Sequence, residues 1–537
     1  MKRYITLVPM LLVAALGMAQ MANDSINRTV LVESTYNPII AGAVKRSFIP
    51  EEVKPSMNRE EVVYANENVD LTSFERTAKK AALAEVAPEK GLPGYAHLGY
   101  GNYNNLAALA AYRWNINTSH ALAFKAHADG WNGKYKLDDG AQWRSHRYDL
   151  GLDADYTALL GEATLGVGLR GAYHNYDYMN DARQQSDILG GHVALEGLVG
   201  HRYNYRAAVS LTHFGRDLHF GVAAPHSENH IRSEVALGMD LYDWGTVEVQ
   251  ISSDLLTYGG DIADYSTYHA LAITPRWNYY LGDFHFVTGM NLDILTGKNM
   301  GSPVQASPEC AIHYTPNKVF AATLTLDGGR DVHTFSDLYA RSPYWAAQEQ
   351  VRPTYTYMNA HLEAGVRIIE GLHLHLGGGY RILSDALLET RLDTLGCTYT
   401  GLTNHKAQVA TIDGKVSYTL RDLVGVGAKA TYNYWMLKGD RALLARAPQF
   451  TMDVDARVRI IPNLYGYTNL HLVAFTNTAS VARERAIIDW SLGADYALNR
   501  HFSFFLDGNN LLNRRYSYYT GYPAQGISVL AGARVKF

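Results

Sequence analysis

The stretch HRYDLGLDADY, residues 146–156, indicates the fold class because its side chains alternate in polarity. One set of alternate positions is mostly apolar: His146, Tyr148, Leu150, Leu152, Ala154 and Tyr156. The other set is mostly charged: Arg147, Asp149, Gly151, Asp153 and Asp155. Successive side chains of a β-strand point to opposite faces of the sheet. The stretch therefore predicts a strand with one apolar face and one charged face.

A second stretch, TMDVDARVRI at residues 451–460, repeats the pattern. Its apolar positions are Met452, Val454, Ala456, Val458 and Ile460, and its charged positions are Asp453, Asp455, Arg457 and Arg459. Alternation by itself fits a soluble β-sandwich as well as a membrane barrel, because strands in both have one apolar face.

Three further features favour a barrel that faces lipid. The apolar rows end in aromatic residues, such as Tyr148 and Tyr156, or Trp490 and Tyr496, as interfacial girdles do. The strand segments run about 10 to 15 residues, longer than the roughly 5 to 6 of globular sheets. Tight connections alternate with long polar segments, which are predicted to be irregular loops: Asn132–Ser145, Leu218–Asn229, Arg330–Thr354, Ala386–Asn404 and Asn509–Gly526.

The predicted fold is therefore all-β, a transmembrane antiparallel barrel of about 22 strands (range roughly 20–24) over residues 94–537. Short periplasmic turns and long extracellular loops join its strands. Closure is expected because lipid cannot satisfy the hydrogen bonds of an open sheet edge.

The N-terminus predicts export. Two early positive charges, an apolar run and small residues near Ala19 indicate a signal peptide at residues 1–19. No later run of 18 apolar residues occurs, so the outer membrane of a Gram-negative-type envelope is the expected location. A net charge of -4 gives no sign of a nucleic-acid partner. The two cysteines, Cys310 and Cys397, are open to pairing or to remaining free.

The C-terminal region resembles the last hairpin of TonB-dependent receptors. Its features are the aromatic strand FSFFLDG, an Asn-Leu-Leu-Asn segment, Tyr516, a Gly-Tyr-Pro-x-x-Gly turn and a final aromatic, Phe537. The mid-chain segment TFSDLYARSPYW is similar to an external loop of the same family. The resemblance implies a receptor-type barrel and makes Phe537 the signal read by the barrel insertion machinery.

The N-terminal segment, residues 20–93, departs from that family. It is too short and too polar for the plug domain of these receptors, and a short helix is predicted from Ser73. A strand at residues 29–34 resembles the box that pairs with the periplasmic energising protein, through Thr29, Val30, Leu31, Val32 and Glu33. The alternative is an ordinary strand or a packed extended segment that Asn37-Pro38 ends in a turn. Because no plug is evident, the stretch is better interpreted as a relic or docking strand than as a working energy-coupling box.

The remaining candidates concern the lumen and one loop. Residues predicted to face the lumen and set its ion preference are Asp149, Asp153, Asp155, Asp453, Asp455, Arg457 and Arg459. Loop residues Tyr344 and Trp345 are predicted either to contact a ligand or to pack internally. His373 and His375 share one strand face and are weak metal candidates, so no metal or cofactor site is predicted. No catalytic motif with its partner residues is present, which argues against an enzyme.

Two functional hypotheses follow. The first is a barrel for solute passage or ligand uptake across the outer membrane, with Arg330–Thr354 as the internal constriction. The second is a structural barrel, a subunit of an outer-membrane assembly or surface-export complex, because a wide barrel without a plug needs something to fill it.

Overall fold

The computed structural model describes residues 92–136, 142–200, 202–260, 265–347, 349–394, 396–477 and 485–537. The predicted signal peptide, the segment that resembles the energising-protein box and the predicted helix after Ser73 lie outside these ranges.

Twenty-three strands make up almost all of the regular structure. They are β1 (Gly94–Gly101), β2 (Leu106–Asn115), β3 (His120–Lys136), β4 (Gln142–Leu160), β5 (Ala163–Asp177), β6 (Arg183–Val199), β7 (Tyr203–His219), β8 (Val222–Asp240), β9 (Thr246–Gly260), β10 (Tyr268–Leu281), β11 (Phe284–Gly297), β12 (Val304–Tyr314), β13 (Phe320–Asp331), β14 (Trp345–Ala346), β15 (Thr354–Ile369), β16 (Leu372–Thr394), β17 (Cys397–Leu420), β18 (Val424–Leu437), β19 (Pro448–Ile461), β20 (Leu464–Phe475), β21 (Ile487–Ala497), β22 (Phe502–Asn509) and β23 (Ser528–Lys536).

All strands except β14 form one closed antiparallel barrel. Each pairs with its neighbour in the chain, β13 pairs with β15, and β1 pairs with β23 to close the ring. The remaining 22 strands confirm the predicted fold class and strand number. At the closure the backbone N–H of Gly94 donates to the carbonyl of Phe537 over 2.7 Å, so both barrel ends lie on the rim with short turns. In outer-membrane barrels that rim is the periplasmic one.

The outer surface carries an apolar band that ends well below the tips of the longest strands. On β6 and β7 the outward row is apolar up to Leu189 and Leu211, which are 66% and 51% exposed. Beyond them the outward residues are polar: Arg183, Gln185 and Asp187 on β6, and His213 and Asp217 on β7. Strands β6 and β7 therefore extend past the lipid-facing band.

Three predicted irregular loops are wrong in their conformation. Asn132–Ser145, Leu218–Asn229 and Ala386–Asn404 lie largely within paired strands, and they are the upper parts of the β3–β4, β7–β8 and β16–β17 hairpins. Above the lipid band the outward face meets water, so the apolar–charged alternation that identifies membrane strands is lost there. Phe220 and Gly221 close the β7–β8 hairpin at φ 51° and 67°, as a two-residue hairpin turn requires.

The loop between β13 and β15 contains the single α-helix of the described ranges, α1 (Phe335–Arg341), beside three short 3-10 helices at Asn102–Asn104, Tyr242–Trp244 and Arg441–Leu444. Thr334 caps it by accepting a hydrogen bond from the Asp337 N–H, and the Asp337 carboxylate accepts one from the Thr334 N–H. None of the helices in the described part of the chain has the length and apolar character to cross a bilayer. Cys310 and Cys397 are both free thiols.

Candidate functional site

The loop of residues 332–353 crosses the mouth of the barrel instead of projecting from it. Its two ends are adjacent, because Asp331 on β13 pairs with Thr354 on β15. Its residues nevertheless contact β4 and β5, and β5 lies eight strand positions from β13 around the ring. The predicted constriction is thus a loop that folds into the lumen.

Contacts to β4 and β5 are made by Tyr339 of α1. The Tyr339 hydroxyl donates to the Asp149 carboxylate over 3.1 Å and accepts from Arg147 over 3.3 Å. Its ring stacks on His174 with centroids 4.3 Å apart. Arg147 and His174 also bind Asp149, at 2.7 Å and 2.8 Å. These four side chains form one network in which each charge has an opposite partner.

The first residue of α1 and the residues after α1 contact β5, β7 and β8. The Arg216 guanidinium donates to the Trp345 carbonyl over 3.0 Å and lies 4.7 Å from the centroid of the Trp345 ring. The Tyr176 hydroxyl donates to the Pro343 carbonyl over 2.7 Å. On β8 the Glu228 carboxyl accepts the Phe335 N–H at the start of α1 over 2.8 Å.

On its other side the loop is bonded to the upper part of the β16–β17 hairpin. Strand β14 pairs in parallel with β17, and the Thr400 N–H donates to the Tyr344 carbonyl over 2.9 Å. The hydroxyls of Ser342 and Thr400 lie 2.8 Å apart. Arg352 forms an ion pair of 2.8 Å with Asp385, which sits at a bulge of β16 with φ 54°.

The far face of the same hairpin is also covered. Tyr522, in the loop between β22 and β23, stacks on Tyr344, and Leu388 packs with Trp435 and Leu444. Both faces of the hairpin end are therefore buried. We call the described residues of 332–353 and 386–404 together the cap.

The cap has the packing of a globular core. Its principal cluster joins buried residues from the walls and both parts of the cap, among them Tyr176, Tyr178, Phe214, Phe335, Leu338, Tyr339, Tyr344, Trp345, Leu387, Tyr399, Leu402 and Tyr522. Tyr344 and Trp345, the predicted contact residues, are 3% and 0% exposed, so they pack internally in this structure. A ligand would reach them only after the loop moves, and that contact stays a prediction.

Burial shapes the protonation of the cap. Desolvation raises the pKa of the Tyr344 and Tyr339 hydroxyls well above their ordinary value, which keeps them neutral donors. Burial also raises the pKa of the Glu228 carboxyl to about 8, with nearby Asp337 acting in the same direction. Glu228 lies above the lipid band, because the outward row of β8 turns polar after Ile231, at Asn229 and Ser227.

The seven predicted lumen residues lie on the inner face of β4 and β19, opposite the exposed apolar residues of those strands. They differ in surroundings. Asp149 belongs to the cap network just described. Asp153 lies 3.8 Å from both Lys125 and Arg170, whose side chains are 49% and 66% exposed. Asp155 is exposed and faces the bare backbone of Gly168.

On β19 three of the predicted residues have a side-chain partner, and one is exposed. Asp453 binds His471 over 2.6 Å, and Asp455 is exposed to the lumen. The Arg457 guanidinium lies over the Tyr465 ring at 4.3 Å, and Arg459 pairs with Asp422. A role of these residues in ion preference stays a prediction.

His373 and His375 both lie on β16 near the short-turn rim. His375 is 3.4 Å from the Glu363 carboxylate and pairs across strands with Lys415, while His373 pairs with Arg367. Cationic neighbours disfavour a metal ion. Among the described residues, no group of three or more His, Cys, Asp or Glu side chains is arranged to hold one.

Sequence reasoning missed the wall residues that hold the loop. Arg147 was identified only as part of the charged face, and Tyr176, Arg216 and Glu228 were not identified. A signal for them exists on β5, where inward positions change from Gly166, Gly168 and Arg170 to Tyr176 and Tyr178. Bulky aromatics in a row that should face water indicate that the interior is packed at that height.

The fold and the closed mouth define a class: a 22-strand transmembrane β-barrel whose outer opening is covered by its own loops. No family model matches the sequence, and a comparison with curated proteins finds no match. Solved structures are similar in fold. The FrpB iron transporter from Neisseria meningitidis (F5-1 variant) superposes with a TM-score of 0.65 at 10% identity, covering 84% of this chain and 83% of that one.

Two other solved structures are similar to this chain in fold. The ferric enterobactin receptor PfeA from Pseudomonas aeruginosa gives a TM-score of 0.62 at 10% identity, with 83% of this chain and 81% of that one covered. The copper transporter OprC gives a TM-score of 0.62 at 12% identity, with 83% of this chain and 80% of that one covered. The described chain therefore has the barrel fold of the TonB-dependent receptors, and the proteins that share it are named as transporters and receptors.

Proposed function

We propose that this protein is an outer-membrane barrel that takes part in uptake across the outer membrane and that residues 332–353 are its gate. The observation that carries the proposal is the path of this loop across the lumen, with Trp345 fully buried between the wall and the β16–β17 hairpin. The fold shared with iron and copper transporters and a siderophore receptor supports uptake in general terms. The solute stays open.

The gate would work by steric closure followed by electrostatic filtering. In the closed state the aromatic core of the described residues covers the charged inner wall on the side of the long loops. After release of the loop, solutes would meet the exposed charges of the wall, including Lys125, Asp155, Arg170 and Asp455. The lumen residues predicted from the sequence would then set ion preference.

Planar bilayers test the gate. The wild-type protein should be silent, and a variant in which a short Gly-Ser turn joins Val332 to Pro353 should conduct. The shortened variant is geometrically feasible because Asp331 and Thr354 already lie side by side. A variant that inserts as a folded barrel but stays silent would refute the gate.

A second candidate function is favoured by one observation. A mouth sealed by a globular-type core suits a structural barrel subunit of an outer-membrane assembly or surface-export complex, in which no solute passes. Gentle detergent extraction followed by co-purification separates the two: a stoichiometric partner supports the assembly, and a clean monomer counts against it.

Coupling to the periplasmic energising protein is part of the uptake proposal. It depends on Thr29–Glu33, which lie outside the described residues. Deletion of Asn27–Ile40 should abolish uptake without changing the amount of barrel in the outer membrane. Unchanged uptake would reduce the motif to a resemblance.

A further inference from the structure

Arg216 of β7 contacts the cap and carries a charge that has no ionic partner among the described residues. The residue is 3% exposed. Its guanidinium donates to the Tyr178 hydroxyl over 2.5 Å, to Gln184 over 3.4 Å, and to the carbonyls of Trp345 and Pro343 over 3.0 Å and 3.5 Å. All four acceptors are neutral. In the described ranges no carboxylate lies within 4.0 Å of this guanidinium.

Arg147 provides the contrast within the same cap. It is buried to a similar degree, at 6% exposure, and it also contacts an aromatic residue of the loop, Tyr339. Its guanidinium, however, binds the Asp149 carboxylate at 2.7 Å. A buried charge is costly unless it is paired and hydrogen-bonded. Arg147 meets that requirement, whereas Arg216 has the hydrogen bonds but lacks the opposite charge.

The strand neighbours of Arg216 add unused polar atoms. Ser186 pairs directly with Arg216 across β6 and β7, and His226 pairs with it across β7 and β8. The Ser186 hydroxyl and the His226 Nε2 atom are buried and have no hydrogen-bond partner among the described residues. The His226 Nδ1–H donates to the Ala224 carbonyl, and burial together with the nearby Arg216 lowers the pKa of His226 to about 3. The ring is therefore neutral, and its Nε2 atom can accept a hydrogen bond from the hydroxyl of a hydrogen phosphate. Unpaired buried polar atoms are uncommon in native proteins and are usually satisfied by water, an ion or a ligand.

We infer that Arg216, with Ser186 and His226 beside it, is a recognition site for a solute that carries an oxyanion, a carboxylate or a phosphate group. In the closed state the carbonyl oxygens of Pro343 and Trp345 occupy the positions of the ligand oxygens. An arginine binds such groups through two parallel hydrogen bonds, which two neutral carbonyls match in geometry but not in charge. The loop is therefore a weaker ligand of its own wall than the oxyanion would be.

The oxyanion and the loop carbonyls would compete for Arg216. An oxyanion on Arg216 displaces the backbone of Pro343 and Trp345, and the loop leaves the β4–β9 wall together with α1. The inference rests on the proposed gate and names the solute class that would open it. A ligand can shift an equilibrium only by its different affinity for the two states, and Arg216 supplies that difference.

Limited trypsin digestion of the full chain in detergent tests the site without requiring solute passage. The cleavage followed is the one after Arg341, whose guanidinium binds the Leu387 carbonyl in the docked loop. Inorganic phosphate or sodium acetate, against sodium chloride at equal ionic strength, should speed this cleavage about fivefold or more. A response to phosphate alone identifies a phosphate-bearing solute, and a response to acetate identifies a carboxylate.

Substitutions of the two arginines test whether the anion acts at Arg216. With each variant compared with its own cleavage rate in sodium chloride, Arg216→Gln should lose the response to the anion, while Arg147→Gln should keep it. If Arg216→Gln does not give a heat-modifiable barrel, Arg216→Lys should respond only at higher anion concentration. No acceleration in the wild type, or full acceleration in Arg216→Gln, would overturn the inference. A shortened-loop variant that stays silent in bilayers, together with anion-dependent cleavage of the wild type, would refute passage and leave the site standing.

Discussion

Tyr344 and Tyr522 stack face to face, with ring centroids 3.5 Å apart and planes within 5°. They come from the loop after β13 and the loop after β22, so one contact joins two external loops over the barrel mouth. The contact shows that the cap is a packed unit and that its closure depends on side chains far apart in the sequence.

Loss of this stack should loosen the cap but not the barrel. Tyr344→Ala removes a buried ring and should cost about 3 kcal/mol of cap docking. Hydrogen exchange at residues 335–347 should accelerate, while the barrel strands keep their protection. A double-mutant cycle of Tyr344→Leu, Tyr522→Leu and the double variant should give a coupling free energy of about 1 kcal/mol between the two rings. Strictly additive effects would mean that the rings do not interact.

Two substitutions of Asp385 should separate the effect of its backbone conformation from the effect of its charge. Its φ of 54° is tolerated by Asn better than by a β-branched residue, and its carboxylate binds Arg352. Asp385→Asn should cost about 1 kcal/mol of cap docking by losing the ion pair, and Asp385→Val should cost distinctly more by straining the backbone as well. Digestion after Arg341 measures both. Equal effects would contradict a role of the backbone conformation.

The closed state should weaken as the pH rises. Burial raises the pKa of Glu228 from 4.5 to about 8 in the docked loop. The docked state therefore binds the proton more tightly than the released state, so docking is favoured at low pH and is lost progressively between pH 4.5 and about 8. Asp337, Tyr258 and Tyr268 face the same carboxyl, and an ionised Asp337 adds to the effect.

Conductance between pH 5 and 9 checks this dependence. The wild type should be silent up to neutral pH and should show brief openings only toward pH 9. Glu228→Gln should remove these openings because Gln stays uncharged and still accepts the Phe335 N–H. A pH trend that persists unchanged in Glu228→Gln would assign it to another group.

The seven predicted lumen residues should fall into two classes. In the variant with the shortened loop, Asp455→Asn should shift ion preference away from cations, since Asp455 is exposed to the lumen. Asp149→Asn should leave ion preference nearly unchanged there. In the full-length protein it should instead loosen the cap, because Asp149 binds Arg147, His174 and Tyr339. Reversal potentials in a salt gradient separate the two classes.

The barrel was predictable because lipid imposes one simple pattern. Alternation in stretches such as residues 146–156 and 451–460 identified strands, and short turns marked one rim, so strand number and closure followed. The hairpin ends were mistaken for loops because water, unlike lipid, imposes no apolar row on their outer face. The Phe-Ser-Asp-Leu-Tyr segment was correctly predicted to lie in a long loop, but the folding of that loop into the lumen was not predictable.

The cap could not be derived because its partners lie far apart in the sequence. Arg216 and Trp345 are separated by 129 positions, and Tyr339 and Asp149 by 190. No local periodicity encodes such pairs. The clearest available clue was the change to inward tyrosines at 176 and 178, which indicated a dry interior at that height.

The most direct test of the account compares single insertions of two proteins in planar bilayers: the wild type and the variant in which a short turn joins Val332 to Pro353. The account predicts a silent wild type and a large, steady conductance in the shortened variant. A wild type that conducts as well as the shortened variant would contradict the claim that residues 332–353 close the barrel.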